Sequence, residues 1–253
     1  MILDLFKLDG RVALVTGAGR GLGQAMAVGL AEAGADIVTV TRSHEIDETR
    51  QLVEQAGRRF WHFAADLQTP AERTGLVDRI LSETGQLDIL VNNAGITSRH
   101  APEDYPLAEF DAILQVHVSA AFDLSQQAAR HMLPRGRGKI IHIGSVMSFE
   151  GGLNIPAYAA AKHALAGLAK SLAVSWAGRG IQVNCLCPGY FATSLSGGLQ
   201  RDPVRGPQIL QRIPAGRWGL PDELAGLIVF LASDASNYMN GSVIPIDGGW
   251  LAR

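Results

Sequence analysis

Tyr158 and Lys162 are the residues whose types and spacing point most directly to chemistry. Three alanines separate them, so on a helix they share one face, one turn apart. A tyrosine ordinarily ionises near pH ~10, and a neighbouring ammonium lowers that pKa, which prepares the phenol for proton exchange with a substrate oxygen. Ser145, upstream, is predicted to hydrogen-bond that oxygen. An ordinary amphipathic helix can carry the same pair without any chemistry.

A glycine-rich turn, residues 16–23, follows the first predicted strand and precedes a predicted helix. Glycines let the backbone approach a pyrophosphate closely, and the helix N-terminus supplies N–H donors. Gly17, Gly21 and Gly23 have the spacing Gly-x3-Gly-x-Gly, unlike the Gly-x-Gly-x2-Gly of long-chain dehydrogenases. A purely structural turn is the alternative. Its place after the first strand favours phosphate binding.

Two polar segments end other predicted strands. Asn92–Gly95 closes the fourth, where small residues leave room for a ribose; an ordinary Asn/Gly turn is the alternative. Asp66 ends the third, and its carboxylate either accepts a hydrogen bond from an adenine amino group or caps a helix. In this order, the glycine turn, these segments and the Tyr158–Lys162 pair predict a nicotinamide dinucleotide site with its own proton donor.

The end of the second predicted strand bears on cofactor choice. It reads Val40-Thr41-Arg42-Ser43 and has no acidic residue to hold the ribose 2′-hydroxyl of NAD. Arg42 accommodates a 2′-phosphate, stacks on adenine or lies in solvent. This segment alone favours NADP.

Short apolar runs alternate with helical patterns along the chain. The predicted strands are Arg11–Thr16, Asp36–Thr41, Phe60–Ala65, Leu87–Asn92, Lys139–Gly144, Ile181–Leu186 and Ser242–Ile246. The predicted helices are Leu22–Ala33, Ile46–Ala56, Pro70–Thr84, Leu107–Met132, Tyr158–Ala177 and Pro221–Ser233. Because continuous apolar strands are typical of buried parallel sheets, we predict an α/β fold: one doubly wound domain over residues 1–253.

Residues 191–214 break this alternation. The segment has several Gly and Pro residues and weak periodicity, and it follows the sixth strand, at the carboxyl end of the sheet where ligands bind in such folds. It is predicted to be a substrate lid or, alternatively, a surface excursion.

Composition excludes several classes of partner. With 253 residues, 47% of them hydrophobic, and a net charge of −2, the chain can bury a large core and gives no sign of nucleic-acid or membrane binding. No apolar stretch reaches membrane-spanning length. Cys185 and Cys187 are two apart in an apolar strand and are predicted to be core thiols, so we predict no metal site and a cytoplasmic protein.

These residues together resemble the short-chain dehydrogenase/reductase family. The resemblance implies a Rossmann-type sheet of seven strands, a homotetramer and a small-molecule substrate. It further implies that Tyr158 is the acid/base, Lys162 the phenolate stabiliser and ribose ligand, and Ser145 the ligand of the substrate oxygen. Thr193, after Pro188-Gly189, matches the position that binds the nicotinamide carboxamide.

The residues of the predicted cofactor site are spread along the chain from Gly17 to Thr193. It comprises Gly17, Arg20, Gly21, Leu22, Gly23, Arg42, Asp66, Leu67, Asn93, Ala94, Gly95, Tyr158, Lys162, Pro188, Gly189, Phe191 and Thr193.

Both ends of the chain are similar to one subgroup of that family. The matching segments are residues 1–17, 148–152, 212–219 and 247–253. The subgroup degrades pectin-type and uronate sugars with NAD(H), which opposes the indication from Arg42, and we weight it slightly higher. An anionic substrate requires a nearby cation. Arg99 is the candidate, with a surface arginine as the alternative.

His117 is a departure from the family pattern. The family usually has an asparagine there, whose backbone carbonyl holds a water that relays protons from the lysine. A histidine keeps that carbonyl if the local helix kink survives, and its side chain can titrate near neutrality. His117 is therefore included with Ser145, Tyr158 and Lys162 as a candidate catalytic residue.

The resulting hypothesis is an NAD(P)-dependent oxidoreductase acting on a hydroxyl or ketone carbon of a deoxy-sugar acid. Within enzymes, the alternative is a reductase of another ketone or of a 3-oxoacyl thioester. Outside enzymes, it is a non-catalytic nucleotide-binding protein, since fold does not determine function.

Overall fold

The computed structural model describes residues 1–43, 45–193 and 196–252. The strands of this described part are β1 (Val12–Thr16), β2 (Asp36–Thr41), β3 (Phe60–Ala64), β4 (Ile89–Asn92), β5 (Gly138–Ile143), β6 (Ile181–Pro188) and β7 (Val243–Ile246). They form one parallel sheet in the order β3-β2-β1-β4-β5-β6-β7, which confirms the predicted architecture.

Helices cover both faces of the sheet. They are α1 (Gly21–Glu32), α2 (Asp47–Gln55), α3 (Pro70–Arg73), α4 (Leu76–Thr84), α5 (Leu107–Leu114), α6 (Ala120–Arg135), α7 (Pro156–Trp176), α8 (Gly197–Arg201), α9 (Arg205–Arg212) and α10 (Ala225–Ala232). A π-helical turn spans Gln115–Ser119. Short 3-10 turns are Ile2–Phe6, Pro102–Asp104, Val146–Ser148, Ala177–Arg179, Pro221–Leu224, Asp234–Ser236 and Trp250–Ala252.

Two apolar layers hold the helices to the sheet. One layer joins α1, α2 and α10 to the strands, and Met26 and Ile228 are among its fully buried members. The other joins α4, α6 and α7, with Leu124 and Leu165. Consecutive strand residues point to opposite layers, so strands buried on both faces must be apolar throughout. This explains why the strands were recognisable as continuous apolar runs.

Three predicted elements differ from the structure. The helix 70–84 is divided by Gly75, whose φ of 65° lies in the left-handed region that ends a helix. The helix 107–132 is interrupted by the π turn, and the predicted excursion at 191–214 contains α8 and α9. Ser194 and Leu195 of that segment lie outside the described residues.

The strand order reverses direction between β1 and β4. In an open α/β sheet a crevice forms at such a switch point, beyond the carboxyl ends of the strands. The loops after β1, β4, β5 and β6 all begin at this edge, and they carry the glycine turn, Asn93–Gly95, Ser145 and Gly189.

Candidate active site

The glycine turn after β1 is packed against the loop after β4. A Cβ on Gly23 would lie 2.3 Å from the carbonyl oxygen of Gly17, and one on Gly17 would lie 3.0 Å from the Cα of Ala94. Gly17 also has a φ of 69°. No side chain fits at either position, so the turn presents bare backbone to the cleft, as phosphate binding requires.

Hydrogen bonds fix these two loops to each other. The Thr16 hydroxyl accepts from the backbone N–H groups of Asn93 and Ala94, each at 2.9 Å. The Asn93 side-chain amide donates to the carbonyls of Thr16 and Gly17 at 2.8 and 3.2 Å. The Asn93 amide therefore binds backbone and holds the two loops together.

Tyr158 and Lys162 lie one turn apart on α7 and face the cleft together. The Lys162 Nζ is 5.2 Å from the centre of the Tyr158 ring and donates a hydrogen bond to the carbonyl of Ile143 at 2.7 Å. Ser145, after β5, accepts from the backbone N–H of Met147 at 3.2 Å. The order β4-β5-β6 therefore brings Ser145 beside the α7 pair.

Burial dominates the acid/base properties of this pair. It raises the pKa of Tyr158 to about 12, while the nearby Ser145 hydroxyl acts in the opposite direction. It also lowers the pKa of Lys162 to about 8. The expected lowering of the tyrosine pKa is not seen in this structure, because burial disfavours the phenolate and the Ser145 hydroxyl opposes that effect only in part. Tyr158 is thus a protonated donor at neutral pH.

His117 lies in the π turn and is only 3% exposed. Its Nε2 is 2.8 Å from the carbonyl oxygen of Ile96 and 3.1 Å from the Ile96 backbone nitrogen, so either tautomer has a partner. Burial, and then Lys162, lower its pKa to about 3. The expected titration near neutrality is therefore wrong, whereas the local helix distortion on which the backbone role depends is present.

The glycine of the Asn92–Gly95 segment makes room for this histidine. A Cβ on Gly95 would lie 2.2 Å from the His117 Cε1 atom. The His117 ring also meets the Tyr158 ring edge-on, with centroids 5.5 Å apart. The histidine thus links the loop after β4 to the ring of the candidate proton donor.

A single cleft of about 510 Å³ connects these parts. All the predicted site residues line it: Gly17, Arg20, Gly21, Leu22, Gly23, Arg42, Asp66, Leu67, Asn93, Ala94, Gly95, Arg99, His117, Ser145, Tyr158, Lys162, Pro188, Gly189, Phe191 and Thr193. Sequence reasoning missed other lining residues, among them Met147, Ile155, Tyr190, Leu199 and Trp218. Their only signal is apolar or aromatic character, which does not distinguish a cleft wall from a core.

Most of the charged side chains that line the cleft are cationic. Arg20, Arg42 and Arg99 line it, and within the described residues none of them forms an ion pair with a carboxylate. Asp66 is the acidic lining residue. Its Oδ1 accepts from the backbone N–H of Gln68 at 2.9 Å, so it closes a turn rather than capping a helix.

Aromatic residues build the outer rim beside Tyr158. The Tyr190 ring lies 5.4 Å from Trp218 and 4.6 Å from Trp250, centre to centre. Arg212 of α9 stacks on Trp250 at 3.8 Å and lies 3.6 Å from a Glu150 oxygen. The residues of this rim come from segments that are far apart in the chain, so no local sequence motif predicts the rim.

Two buried groups lie behind the site. The Sγ atoms of Cys185 and Cys187 are 3.7 Å apart and fully buried, as core thiols were predicted to be. Asn92 donates to Ser125 at 3.1 Å and lies 3.2 Å from Nδ1 of His142, which is fully buried. Burial lowers the pKa of His142 to about 4, so it is neutral.

A family profile described as enoyl-(acyl carrier protein) reductase matches residues 17–251. The chain belongs to the short-chain dehydrogenase/reductase family. It is therefore an NAD(P)-dependent oxidoreductase, as the resemblance implied. Among the described residues, no helix is long and apolar enough to cross a membrane.

Named relatives and a solved structure extend this result. A 2-dehydro-3-deoxy-D-gluconate 5-dehydrogenase of Bacillus subtilis (strain 168) is 51% identical over 99% of this chain and 98% of its own. The enzyme of that name from Escherichia coli (strain K12) is 47% identical over the whole of both chains. A crystal structure of a gluconate 5-dehydrogenase from Burkholderia cenocepacia J2315, with NADP and tartrate, is 41% identical, has a TM-score of 0.95 and covers all of both chains. The predicted likeness to a sugar-acid subgroup is confirmed.

Proposed function

We propose that the chain transfers a hydride between a nicotinamide cofactor and a hydroxyl or ketone carbon of a deoxy-sugar acid of the 2-dehydro-3-deoxy-D-gluconate type. The observation that carries the proposal is one cleft that Ser145, Tyr158 and Lys162 line together with arginines that form no ion pair with a carboxylate within the described residues. The names of the relatives support the substrate class. The cleft supports the reaction, since it combines a proton donor with a site for anions.

The residues at the β1 end fit a dinucleotide. Side chains are excluded from Gly17 and Gly23 by close backbone contacts, and the first turn of α1 directs its free N–H groups toward the same space. Residues 17–23 would hold the pyrophosphate, Asp66 and Leu67 would hold the adenine, and Pro188, Gly189, Phe191 and Thr193 would hold the nicotinamide. When bound, the nicotinamide supplies or accepts the hydride.

Tyr158 and Ser145 act on the substrate oxygen. With its pKa raised to about 12, Tyr158 retains its proton at neutral pH and donates it as a ketone becomes an alkoxide. Ser145, bound to Met147 by its own oxygen, keeps its hydroxyl hydrogen for the substrate oxygen and fixes that oxygen beside the phenol. In the oxidative direction Tyr158 accepts the proton instead.

Lys162 supports the phenolate that remains after this transfer. It is cationic below its pKa of about 8, and its Nζ lies near the tyrosine ring. His117 is a positioning residue rather than a proton carrier. Its side chain holds Ile96, and its backbone lies in the π turn where the family's relay carbonyl is found.

For the cofactor, we propose NADP(H) over NAD(H). The subgroup resemblance favours NAD(H), but Arg20 and Arg42 both line the cleft and lack a carboxylate partner within the described residues. Two guanidinium groups suit a 2′-phosphate, whereas NAD binding calls for an acidic residue after β2. The Burkholderia cenocepacia structure contains NADP, which supports the same choice.

A reductase of acyl thioesters is the second enzymatic candidate, favoured by the description of the matching family profile. The apolar Met147, Ile155 and Leu199 of this cleft could contact an acyl chain, whereas Arg99 supplies a cation that an uncharged chain does not use. Arg99 therefore favours a small anionic polyol. The intact Ser145–Tyr158–Lys162 arrangement opposes a non-catalytic nucleotide-binding role.

Initial rates on a compound panel test this function. The panel contains sugar acids, uncharged ketones and acyl thioesters, each assayed with both cofactors. We expect turnover of a deoxy-sugar acid with NADP(H). Turnover of acyl thioesters alone would establish the second candidate, and absence of turnover with every compound would favour the nucleotide-binding role.

The assembly and location also belong to this proposal. We propose a homotetramer, which the family resemblance implies, and the exposed apolar side chains Leu107, Phe122 and Val174 on α5, α6 and α7 are available for contacts between copies. Native mass spectrometry tests the assembly directly.

A cytoplasmic location is consistent with two free cysteines. We further propose that residues 191–214 form the substrate lid.

A further inference from the structure

The carboxylate of Glu150 is contacted by two other segments of the chain. Glu150 follows Ser145 in the same loop, just beyond the 3-10 turn Val146–Ser148. Its Oε1 accepts a hydrogen bond from the Trp250 indole N–H at 2.5 Å, and its Oε2 lies 3.6 Å from Nη2 of Arg212. One carboxylate therefore joins the loop that carries Ser145 to helix α9 and to the turn that contains Trp250.

The two partners of Glu150 also contact each other. The Arg212 guanidinium lies over the Trp250 ring, 3.8 Å from its centre. Trp250 is 3% exposed, whereas the Arg212 side chain is 56% exposed. An exposed ion pair contributes little, while a hydrogen bond from a buried N–H to a carboxylate is one of the stronger kinds. Glu150, Arg212 and Trp250 thus form one group, the Glu150 cluster, whose strongest contact is the Glu150–Trp250 hydrogen bond.

The Glu150 cluster borders the substrate end of the cleft. The Trp250 ring lies 4.6 Å, centre to centre, from the ring of Tyr190, which lines the cleft. On α9, Ile209 is buried in an apolar cluster that also contains Met147 and Trp250. Met147 donates its backbone N–H to the Ser145 hydroxyl. Helix α9 therefore shares an apolar cluster with the turn that orients Ser145.

Backbone contacts tie the end of α9 to the segment that precedes Trp250. The N–H of Ala215, shortly after α9, donates to the carbonyl of Gly248 at 3.0 Å. A Cβ on Gly248 would lie 2.9 Å from Cγ2 of Ile213, so the two segments are closely packed. Helix α9 and Trp250 are thus one packed unit, and Glu150 attaches that unit to the Ser145 loop.

Glu150 does not itself line the cleft, and neither does Trp250 or Arg212. Any effect of Glu150 on the reaction must therefore pass through the residues that it holds. Without the carboxylate, the buried indole N–H of Trp250 would lack its acceptor, which is unfavourable. Movement of Trp250 and α9 away from the Ser145 loop would expose the N–H to water and relieve this cost.

We propose that Glu150 is a positioning residue that holds α9 and Trp250 against the Ser145 loop and thereby sets the affinity for substrate without touching it. The part that concerns substrate rests on the proposed function. With the Glu150 cluster intact, Tyr190 stays beside the Ser145 loop, and substrate binds to a preformed site. Without it, substrate binding must also bring α9 back, which weakens the apparent affinity.

Hydrogen–deuterium exchange of the protein without substrate tests the attachment. In Glu150→Ala we expect the backbone amides of α9 to exchange about tenfold faster, because local opening of this helix becomes easier. Trp250→Phe, which keeps an aromatic ring but lacks the N–H donor, should show the same increase. Glu150→Gln keeps a carbonyl oxygen that accepts from the indole, so it should restore exchange close to the wild-type rate.

Steady-state kinetics with a deoxy-sugar acid and NADPH tests the effect on substrate. Glu150→Ala should raise KM about tenfold, while kcat and the Kd for NADPH stay within about threefold of wild type. The double variant Glu150→Ala/Trp250→Phe should have the KM of the worse single variant, because the two residues are partners in one hydrogen bond. A general structural loss would instead lower kcat and weaken NADPH binding as well.

The matched control is Glu83→Ala on α4. It removes the same carboxylate from an exposed position that does not line the cleft. Exchange of α9 and the KM for the acid should both keep their wild-type values.

The outcomes separate this inference from the proposed function. Unchanged exchange of α9 in Glu150→Ala would overturn the inference, and so would an equal acceleration throughout the chain. Faster exchange of α9 with an unchanged KM would overturn the role in substrate affinity. If the wild type turns over no deoxy-sugar acid, the proposed function is wrong, and exchange of α9 alone decides whether Glu150 is a positioning residue.

Discussion

The two ends of the cleft differ in whether backbone or side chains form their surface. At the cofactor end the surface is backbone: Gly17 and Gly23 exclude side chains, and Asn93 fixes the turn by amide hydrogen bonds. At the substrate end the surface is side chains: Arg99, Tyr190 and their neighbours come from separate segments of the chain. The first end is specified locally, and the second only by the tertiary fold.

Because of this difference, the two ends of the cleft tolerate different kinds of substitution. A backbone cradle has no room for a methyl group, but it imposes few demands on side-chain chemistry. A side-chain rim can be rebuilt residue by residue, so specificity can change while the cradle and the proton donor remain. The Ser145–Tyr158–Lys162 arrangement lies between the backbone surface of the cofactor end and the side-chain surface of the substrate end.

The largest effect is expected where the two ends meet. Tyr158→Phe removes one hydroxyl and keeps the ring, so the fold and NADPH binding should persist. Steady-state kcat should fall by ~10²–10⁴, the contribution of a positioned general acid. Tyr238→Phe, at a fully exposed ring, is the control. Activity above about a tenth of wild type would show that Tyr158 is not the proton donor.

Gly23→Ala tests the backbone cradle. The added methyl group would lie 2.3 Å from the Gly17 carbonyl oxygen and 2.5 Å from the Asn93 amide nitrogen, so the turn must shift. We expect the Kd for NADPH, by fluorescence titration, to rise at least about tenfold, or 1.4 kcal/mol. Gly226→Ala in α10 meets no atom within 4 Å and should leave Kd unchanged. Equal Kd values for both variants would contradict the close-packed cradle.

Arg42→Asp tests whether a side chain contributes at the cofactor end. A carboxylate repels the 2′-phosphate and accepts from a 2′-hydroxyl, so NADP(H) use should fall about 10- to 100-fold while NAD(H) use is retained or rises. Arg79→Asp, an exposed position on α4 outside the cleft, is the charge-matched control. An unchanged ratio of kcat/KM values for the two cofactors would mean that Arg42 points away from the ribose.

Two buried histidines, His117 in the cleft lining and His142 behind the site, should make the fold sensitive to acid. His117 and His142 have pKa values of about 3 and 4 in the folded protein, against ~6.5 when unfolded. The unfolded chain therefore binds more protons below pH ~6.5, and the free energy of unfolding should fall by about 1.4 kcal/mol per pH unit per histidine. Urea unfolding at several pH values measures this slope. His142→Gln should reduce it, and an equal slope in both proteins would contradict neutral burial.

The smallest effect is expected for His117→Asn, which restores the family residue. The histidine acts through its backbone and its contact with Ile96, so kcat should stay within about tenfold, 1.4 kcal/mol in barrier. The pH–rate profile of either protein should have no inflection near ~6.5, because the folded pKa is about 3. If the wild type instead shows such an inflection, and His117→Asn removes it together with most of the activity, His117 is catalytic in its own right.

The same contrast explains how much the sequence revealed. The strands were recognisable because both faces of the sheet are buried, and the predicted site residues all line the cleft because each follows a strand or a local motif. The hydrophobic period showed neither Gly75 nor the π turn, since neither changes it enough to interrupt a helical pattern, and only the family resemblance pointed to a kink at His117.

Other features depend on distance in space rather than in sequence. The raised pKa of Tyr158 arises from burial, which a four-residue spacing does not report. The Tyr190–Trp218–Trp250 rim exists only once the fold is complete, because its residues come from separate segments of the chain. A substrate site of this kind has no signature of its own in the chain.

The most direct test is a four-way comparison of initial rates on the wild-type protein. A deoxy-sugar acid and its uncharged amide are each assayed with NADPH and NADH in excess. We expect the acid with NADPH to have the highest kcat/KM, and both exchanging the cofactor and removing the charge should reduce it. Equal rates for acid and amide, or turnover of neither, would contradict a cleft in which one end holds the dinucleotide and the other an anionic sugar.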